Sequence, residues 1–292
     1  MPELPEVERL RLTLLPHLLG ATVLSGTLKR RDYCTVVGED GAVQKGPVSE
    51  EALLVGGAIN ALSRKGKQLA MTTADGRVAV IHLGMSGQVL FSVGTRAPRA
   101  NHQHVEWLLR RGDETEGTMV FRDPRRFGGL WSYPSMEVLE RTAWSKLGPD
   151  GLTSPLSQLE GSLRRVAQGG ERPSARSIKM ALLDQALIAG VGNIYADESL
   201  FLAGIRPDRL CRELTLEDVA RLARAVRQVL GDAVTKGGST LKDYRDANGA
   251  GGTAQQTHMV YGRGAEACRM CGSRLKWSFQ QRTTVFCGVC QR

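Results

Sequence analysis

The residues with the most chemistry per position stand at the two ends of the chain. It opens Met1-Pro2-Glu3-Leu4-Pro5-Glu6-Val7-Glu8, two prolines set among three carboxylates. Proline is small enough for an initiator methionine to be removed, which would leave Pro2 with a free secondary amine. An α-amino group titrates near pH ~8, so part of it is an unprotonated nucleophile at neutrality. Attack on an electrophilic carbon would give an iminium ion, a covalent intermediate that divides one hard step into two easier ones. Glu3 stands beside it as a proton donor and acceptor. The plainer reading is that Pro2 and Pro5 only stiffen the entry to a helix. At the other end, Cys268-x2-Cys271 and Cys287-x2-Cys290 have the spacing of a four-cysteine zinc ribbon with an intervening β-hairpin. Four thiolates leave no open position for water, so one structural Zn2+ is expected. Cys34 and Cys211 are left over as ordinary buried thiols.

These residues need elements to hold them. Val7, Leu10, Leu14 and Leu18 recur at helical spacing. Leu12, Leu15 and Leu19 add a second stripe, so a helix buried on two sides is expected, ended or kinked at Pro16. From about residue 20 to 133 short runs read as strands: 21–24, 34–37, 68–73, 78–83, 88–91, 104–109 and 118–121. Asp75-Gly76 between two of them is a hairpin signal. Closely spaced strands point to an antiparallel sandwich or barrel. Arg64-Lys-Gly-Lys67, Gly84-Met-Ser-Gly87 and Asp123-Pro-Arg-Arg-Phe-Gly128 interrupt the strands and place basic or bulky groups on rim loops. Residues 38–60 read as a surface excursion.

Prolines and Gly148-Pro149 mark 136–155 as a linker, after which the period turns helical. Thr215-Leu-Glu-Asp218 has the form of a capping box, followed by Val219, Leu222, Val226 and Val229. Ala189-Gly-Val-Gly-Asn-Ile-Tyr195 lies between two apolar stretches. A tight helix–helix turn is its simplest reading, although N–H groups there could cradle a phosphate. The expected fold class is α+β multidomain: an N-terminal β-sandwich with a buried helix over 1–135, a helical domain over 156–240, and a loop plus cysteine finger over 241–292.

Composition narrows the function. The 292 residues are 41% hydrophobic and 24% charged, the balance of a soluble globular protein. Only 5% are aromatic, which argues against a carbohydrate groove. The net charge of +9 is spread along the chain and points to a polyanion, nucleic acid before membrane. No apolar run approaches the roughly 20 residues of a membrane span. The acidic start is unlike a secretory signal, so a cytosolic protein is expected.

Taken together, Met1–Glu8, Lys67, Ile81-His-Leu-Gly-Met-Ser-Gly87, Asp123–Gly128, Ala189–Glu198, Val260-Tyr-Gly-Arg263 and the finger with Gln281-Arg282 resemble bacterial formamidopyrimidine-DNA glycosylases, in the family's order and over nearly the whole chain. The resemblance implies a β-sandwich joined to a helix-two-turns-helix domain and a zinc finger. It implies a monomer bound to damaged double-stranded DNA in the cleft between the domains. Pro2 would attack C1′ of an oxidised purine nucleotide, and β,δ-elimination would follow. Glu3 would move protons, Glu6 would support the site, and Lys67 would bind a phosphate beside the lesion.

Such enzymes take a nucleotide out of the stack. Met85, Arg125 and Phe127 match the residues that fill the gap, and Asn193 and Arg282 match those that clamp the surrounding phosphates. Lys179, ahead of the helical turn, is a further candidate DNA contact. The stretch 242–259, where the family caps the lesion, departs from the pattern. It is rich in small residues and lacks the aromatic that often precedes Val-Tyr-Gly-Arg, which leaves lesion preference open. The sister endonuclease VIII, which prefers oxidised pyrimidines, shares the nucleophile; Leu4 and the Met85, Arg125 and Phe127 set favour the purine enzyme. A non-catalytic damage-binding protein on this scaffold would not need Pro2, Glu3 and Lys67. A zinc-ribbon transcription or RNA-binding factor would leave the opening motif unexplained.

Overall fold

A computed structural model describes residues 2–169, 174–241 and 244–292. Met1, whose removal the sequence leaves open, and residues 242 and 243 of the 242–259 stretch lie outside the described residues. The chain divides into two compact units: 1–146 with 237–252, and 147–236 with 253–292.

In the first unit, helix α1 (Leu4–Leu18) leads into two sheets. Strands β1 (Thr22–Leu28), β7 (Gln103–Arg110), β8 (Glu116–Arg122) and β6 (Gln88–Val93) form one sheet in that order. The other runs β2 (Cys34–Val36), β9 (Gly129–Tyr133), β5 (Val78–His82), β4 (Gln68–Thr73) and β3 (Ile59–Lys65). Among the described residues these pairings are antiparallel except the short β2–β9 pair, which is parallel. Val7, Leu10, Leu14 and Leu18 of α1 share one apolar core with Val23, Leu69, Ile81, Trp107 and Phe121 from both sheets. Fully burying one such side chain contributes about 1.5–3 kcal/mol, so α1 is firmly seated.

Several sequence expectations need adjusting. The second stripe of α1 is only partly covered: Leu15 packs against the core, but Leu12 is 40% and Leu19 54% exposed. Pro16 lies inside the last turn, where α1 continues to Leu18. Strands β3 and β9 were not expected; Arg64 and Lys65 belong to β3 and only Gly66-Lys67 forms the turn. In the excursion 38–60, residues 42–47 are exposed, but Leu53 and Leu54 enter the core and Leu53 O accepts the Trp107 indole N–H at 3.1 Å. The expected linker instead begins with α2 (Met136–Thr142), capped by the Ser135 hydroxyl, and stays with the sandwich to residue 146.

The second unit holds α3 (Leu156–Gln168), α4 (Ile178–Leu182), α5 (Asn193–Ala203), α6 (Leu216–Thr235) and the hairpin β10 (Lys276–Gln280)–β11 (Arg282–Phe286). The capping box forms as expected: Thr215 N–H donates to Asp218 at 3.0 Å and Asp218 N–H to the Thr215 hydroxyl at 3.1 Å. Cys34 and Cys211 are buried, and burial pushes the Cys34 thiol up to about 12. No described helix is long and apolar enough to cross a membrane.

Residues 237–252 were expected with the helices and the finger, yet they pack with the sandwich. Their partners explain this. Ser239 N–H donates to Glu6 at 2.6 Å, and the Tyr244 hydroxyl to Glu6 O at 2.9 Å. Asp246 pairs with Arg9 at 3.3 Å, and Ala247 joins the core beneath α1. The glycines are needed for close approach. Gly238 has φ +80°, and a Cβ there would lie 2.7 Å from Glu6 Oε1; one on Gly252 would lie 2.1 Å from Gly238 O.

Candidate functional site

Pro2 is buried immediately ahead of α1, and Glu3 and Glu6 are each 1% exposed. Glu3 takes the N-cap position, with extended backbone, and its N–H donates to Glu6 Oε2 at 2.7 Å. Glu6 Oε1 accepts the Ser239 N–H, so both of its oxygens are engaged. A carboxylate bound this way is a clamp that fixes the backbone of Glu3.

Lys67, half-buried, stands on the two-residue turn between β3 and β4, where Gly66 supplies the positive φ of +56°. Its charge is felt at His82, whose imidazole is held below the usual histidine range by burial first and Lys67 second, against an opposing effect of Asp123. His82 is a neighbour that sequence reasoning passed over, although it lies within the quoted Ile81–Gly87 motif.

The two glycine-bounded loops beyond β5 and β8 are built as one piece. A Cβ on Gly84, at φ +61°, would fall 2.3 Å from both Phe127 C and Gly128 N, so backbone runs against backbone. Asp123, fully buried, joins the loops. It accepts the Ser86 hydroxyl at 2.6 Å, the Tyr33 hydroxyl at 3.0 Å and Gly128 N–H at 2.8 Å. Ser86 Oγ in turn accepts Arg125 N–H at 3.1 Å. Burial, then the Asp123 charge, raises the Tyr33 phenol, which therefore stays a donor. This frame presents Met85 half-buried, with Arg125 and Phe127 exposed and the guanidinium 5.0 Å above the Phe127 ring centre. A thioether, a guanidinium and an aromatic ring on adjoining loops can fill a gap in a base stack.

In the second unit, Gly190 (φ +106°) and Gly192, the N-cap of α5, make the turn between α4 and α5. The Gln185 side chain closes it by accepting Gly190 N–H at 3.0 Å and donating to Val191 O at 2.8 Å. Asn193 opens α5, at the helix end whose dipole favours an anion. Its Nδ2 donates to Thr283 O at 3.1 Å, and since an amide carries two donors, one remains. Arg282, at the start of β11, is exposed.

Lys179 is not a surface contact. Its side chain is 1% exposed and its Nζ lies 2.7 Å from Asp197, donating also to Thr283 O and the Thr284 hydroxyl at 2.9 and 2.8 Å. Asp197 accepts Val285 N–H at 3.0 Å. The pair therefore ties β11 to α4 and α5. Glu198 works similarly on the Val260-Tyr261 motif, accepting the N–H groups of residues 259, 260 and 261 at 2.8–2.9 Å.

The sulfurs of Cys268, Cys271, Cys287 and Cys290 all lie within 4.8 Å of one another. Zn–S bonds of ~2.3 Å in a tetrahedron put sulfurs ~3.8 Å apart. Cys268–Cys290 at 3.9 Å and Cys271–Cys287 at 3.5 Å fit such an ion. The Ser273 hydroxyl, 3.0 Å from Cys271, leads the interactions that draw that thiol below its ordinary range. The cluster can hold a metal ion.

A sandwich that buries a proline–glutamate start, carried on the same chain as a two-turn helical unit with a four-cysteine hairpin, defines a distinct architectural class. Family models for the formamidopyrimidine-DNA glycosylase N-terminal domain and H2TH domain match residues 1–130 and 147–245. A formamidopyrimidine-DNA glycosylase of Xanthomonas campestris pv. campestris is 41% identical over the full length of both chains. The MutM (Fpg) protein of Thermus thermophilus superposes with TM-score 0.81 at 37% identity, covering 99% of this chain and 98% of that one. The Lactococcus lactis Fpg bound to DNA containing N7-benzyl-Fapy-dG gives 0.82 at 30% identity, with both chains fully covered. The chain belongs to the formamidopyrimidine-DNA glycosylase family.

Proposed function

We propose that this chain is a bifunctional glycosylase and lyase of base-excision repair that removes oxidised purines, 8-oxoguanine and formamidopyrimidines, from duplex DNA. The observation that carries the assignment of roles is the buried start, in which Glu6 clamps the Glu3 backbone directly beside Pro2. With Met1 removed, the Pro2 nitrogen bonds to C1′ as the glycosidic bond breaks and the base leaves with a proton. Glu3 protonates O4′ as the sugar opens to the iminium ion. Loss of a C2′ proton expels the 3′ phosphate, and a second elimination expels the 5′ phosphate. Lys67 neutralises phosphate charge beside the reacting sugar and assists these transfers. Met85 and Phe127 occupy the vacated stack, and Arg125 hydrogen-bonds the orphaned base.

Asn193 and Arg282 bind phosphates flanking the extruded nucleotide, so affinity falls steeply with salt. The four cysteines hold one structural Zn2+, which fixes the hairpin bearing Arg282 and takes no part in bond-making. The protein works in the bacterial cytoplasm.

Borohydride trapping on a duplex with 8-oxoguanine opposite cytosine tests the reading. The expected result is a stable cross-link that peptide mapping puts on Pro2 and that Pro2→Gly abolishes while most DNA affinity remains. Cross-linking only to oxidised pyrimidines would assign the endonuclease VIII specificity instead. No cross-link to either lesion or to an abasic site, with Met1 absent, would leave a damage-binding protein.

A further inference from the structure

Lys67 stands on a hairpin turn, a poor place from which to aim a flexible side chain unless the turn itself is fixed. Here it is fixed on every side. Lys65 Nζ donates to Trp144 O at 2.8 Å, and Gln68 accepts the Trp144 indole N–H at 2.8 Å. Arg64, with a side chain only 1% exposed, donates from Nη1 to Gly66 O at 3.0 Å and from Nε to Glu8 at 2.8 Å. Glu8 lies on α1, one turn beyond the Glu3–Glu6 clamp, and also accepts Arg11 Nη2 at 2.6 Å.

One guanidinium thus bonds both the helix that begins beside Pro2 and the carbonyl just before Lys67. Its planar fork holds two acceptors in fixed directions, which a lysine in its place would not do. A carbonyl at a hairpin turn ordinarily makes do with water. Burying an arginine to bind this one is explained if the position of the next residue matters.

We propose that Arg64, countered by Glu8, is a positioning residue that sets Lys67 relative to the Pro2 end of α1. It touches neither DNA nor the reacting atoms. The proposal rests on the reading that Lys67 serves the reaction.

The test is a double-mutant cycle on the full-length protein. Single-turnover strand cleavage at an abasic site is measured for wild type, Arg64→Met, Lys67→Ala and the double variant, with melting temperatures alongside. A displacement of about 1 Å at a catalytic group can slow a reaction ~100-fold, so Arg64→Met is expected to lose about 10–100-fold. The double variant is expected to be no slower than Lys67→Ala alone, because Arg64 then has nothing left to position. A purely structural arginine would give losses that multiply, and that outcome overturns the proposal, as does a wild-type rate for Arg64→Met. If Arg64→Met does not fold, Glu8→Gln, which keeps an acceptor oxygen but removes the charge, takes its place in the cycle with the same criteria. A wild-type rate for Lys67→Ala would instead overturn the functional reading itself.

Discussion

Glu6 and Ser239 meet at 2.6 Å, a carboxylate of the first helix accepting an N–H from a segment that arrives only after α6. The same carboxylate holds the Glu3 N–H at 2.7 Å. Replacing Glu6 by Gln keeps the shape but turns an NH2 toward one of the two donors. Leaving a buried donor unsatisfied costs about 1–3 kcal/mol. Glu6→Gln should therefore lower the melting temperature and slow imine formation together, read by calorimetry and by the rate of borohydride trapping. A variant that melts normally and traps normally would show that the clamp is dispensable.

The contact between the Met85 and Phe127 loops depends on Gly84. An alanine there meets a left-handed backbone, worth about 1–3 kcal/mol of strain, before its Cβ reaches the facing main chain. Gly84→Ala is expected to destabilise the sandwich and to weaken binding to a duplex with an abasic site by more than it weakens binding to undamaged duplex. Equal loss on both would mean that the loops do not act at the gap.

Lys179 and Asp197 form a buried pair whose role is to seat β11. Removing one partner of such a pair costs about 3–5 kcal/mol, whereas replacing both with apolar groups is often close to neutral. Lys179→Met should melt well below wild type, and Lys179→Met with Asp197→Leu should recover much of the loss. If the double variant melts no higher than the single, the ammonium has a function beyond pairing.

Glu8 gives a pH dependence. Burial raises its carboxyl, but hydrogen bonds from Arg11 and Arg64 and their charges prevail, and the net position is below the ordinary value. A folded-state pKa below the unfolded one, about 4.3, means stability that is complete at neutral pH and is lost as pH falls past that range. Acid unfolding of wild type and Glu8→Gln should therefore converge as pH drops below about 4. A gap between the two curves that stays constant as the pH falls well below that value would contradict the linkage.

What the sequence made legible was what short spacing encodes. The cysteine pairs, the Thr215–Asp218 box, the Asp75-Gly76 hairpin and the apolar stripe from Val7 to Leu18 all lie within a few residues of their partners. Strand β3 was lost because Arg64 and Lys65 look like solvated loop charges; only Glu8 and Trp144, far off in sequence, show why they sit inside. Lys179 misled for the same reason, since its partners Asp197 and Thr284 come from another helix and from the finger. Leu12 and Leu19 erred the other way, because an apolar residue at helical spacing need not find a surface to cover it. The Gly-rich 249–252 stretch reads as loose, yet Gly252 is demanded by the carbonyl of Gly238.

The return of residues 237–252 to the sandwich also has a consequence in time. On a ribosome the first 146 residues emerge with Glu6 still lacking its Ser239 partner, and about 90 more must be made before it arrives, roughly 5–20 s at ordinary synthesis rates. A nascent chain therefore carries its first helix before it can brace it. A fragment cut after residue 146 would be held in that unbraced state for good. The contacts that Ser239, Tyr244, Asp246 and Ala247 make with the first helix form only once α6 has been synthesised.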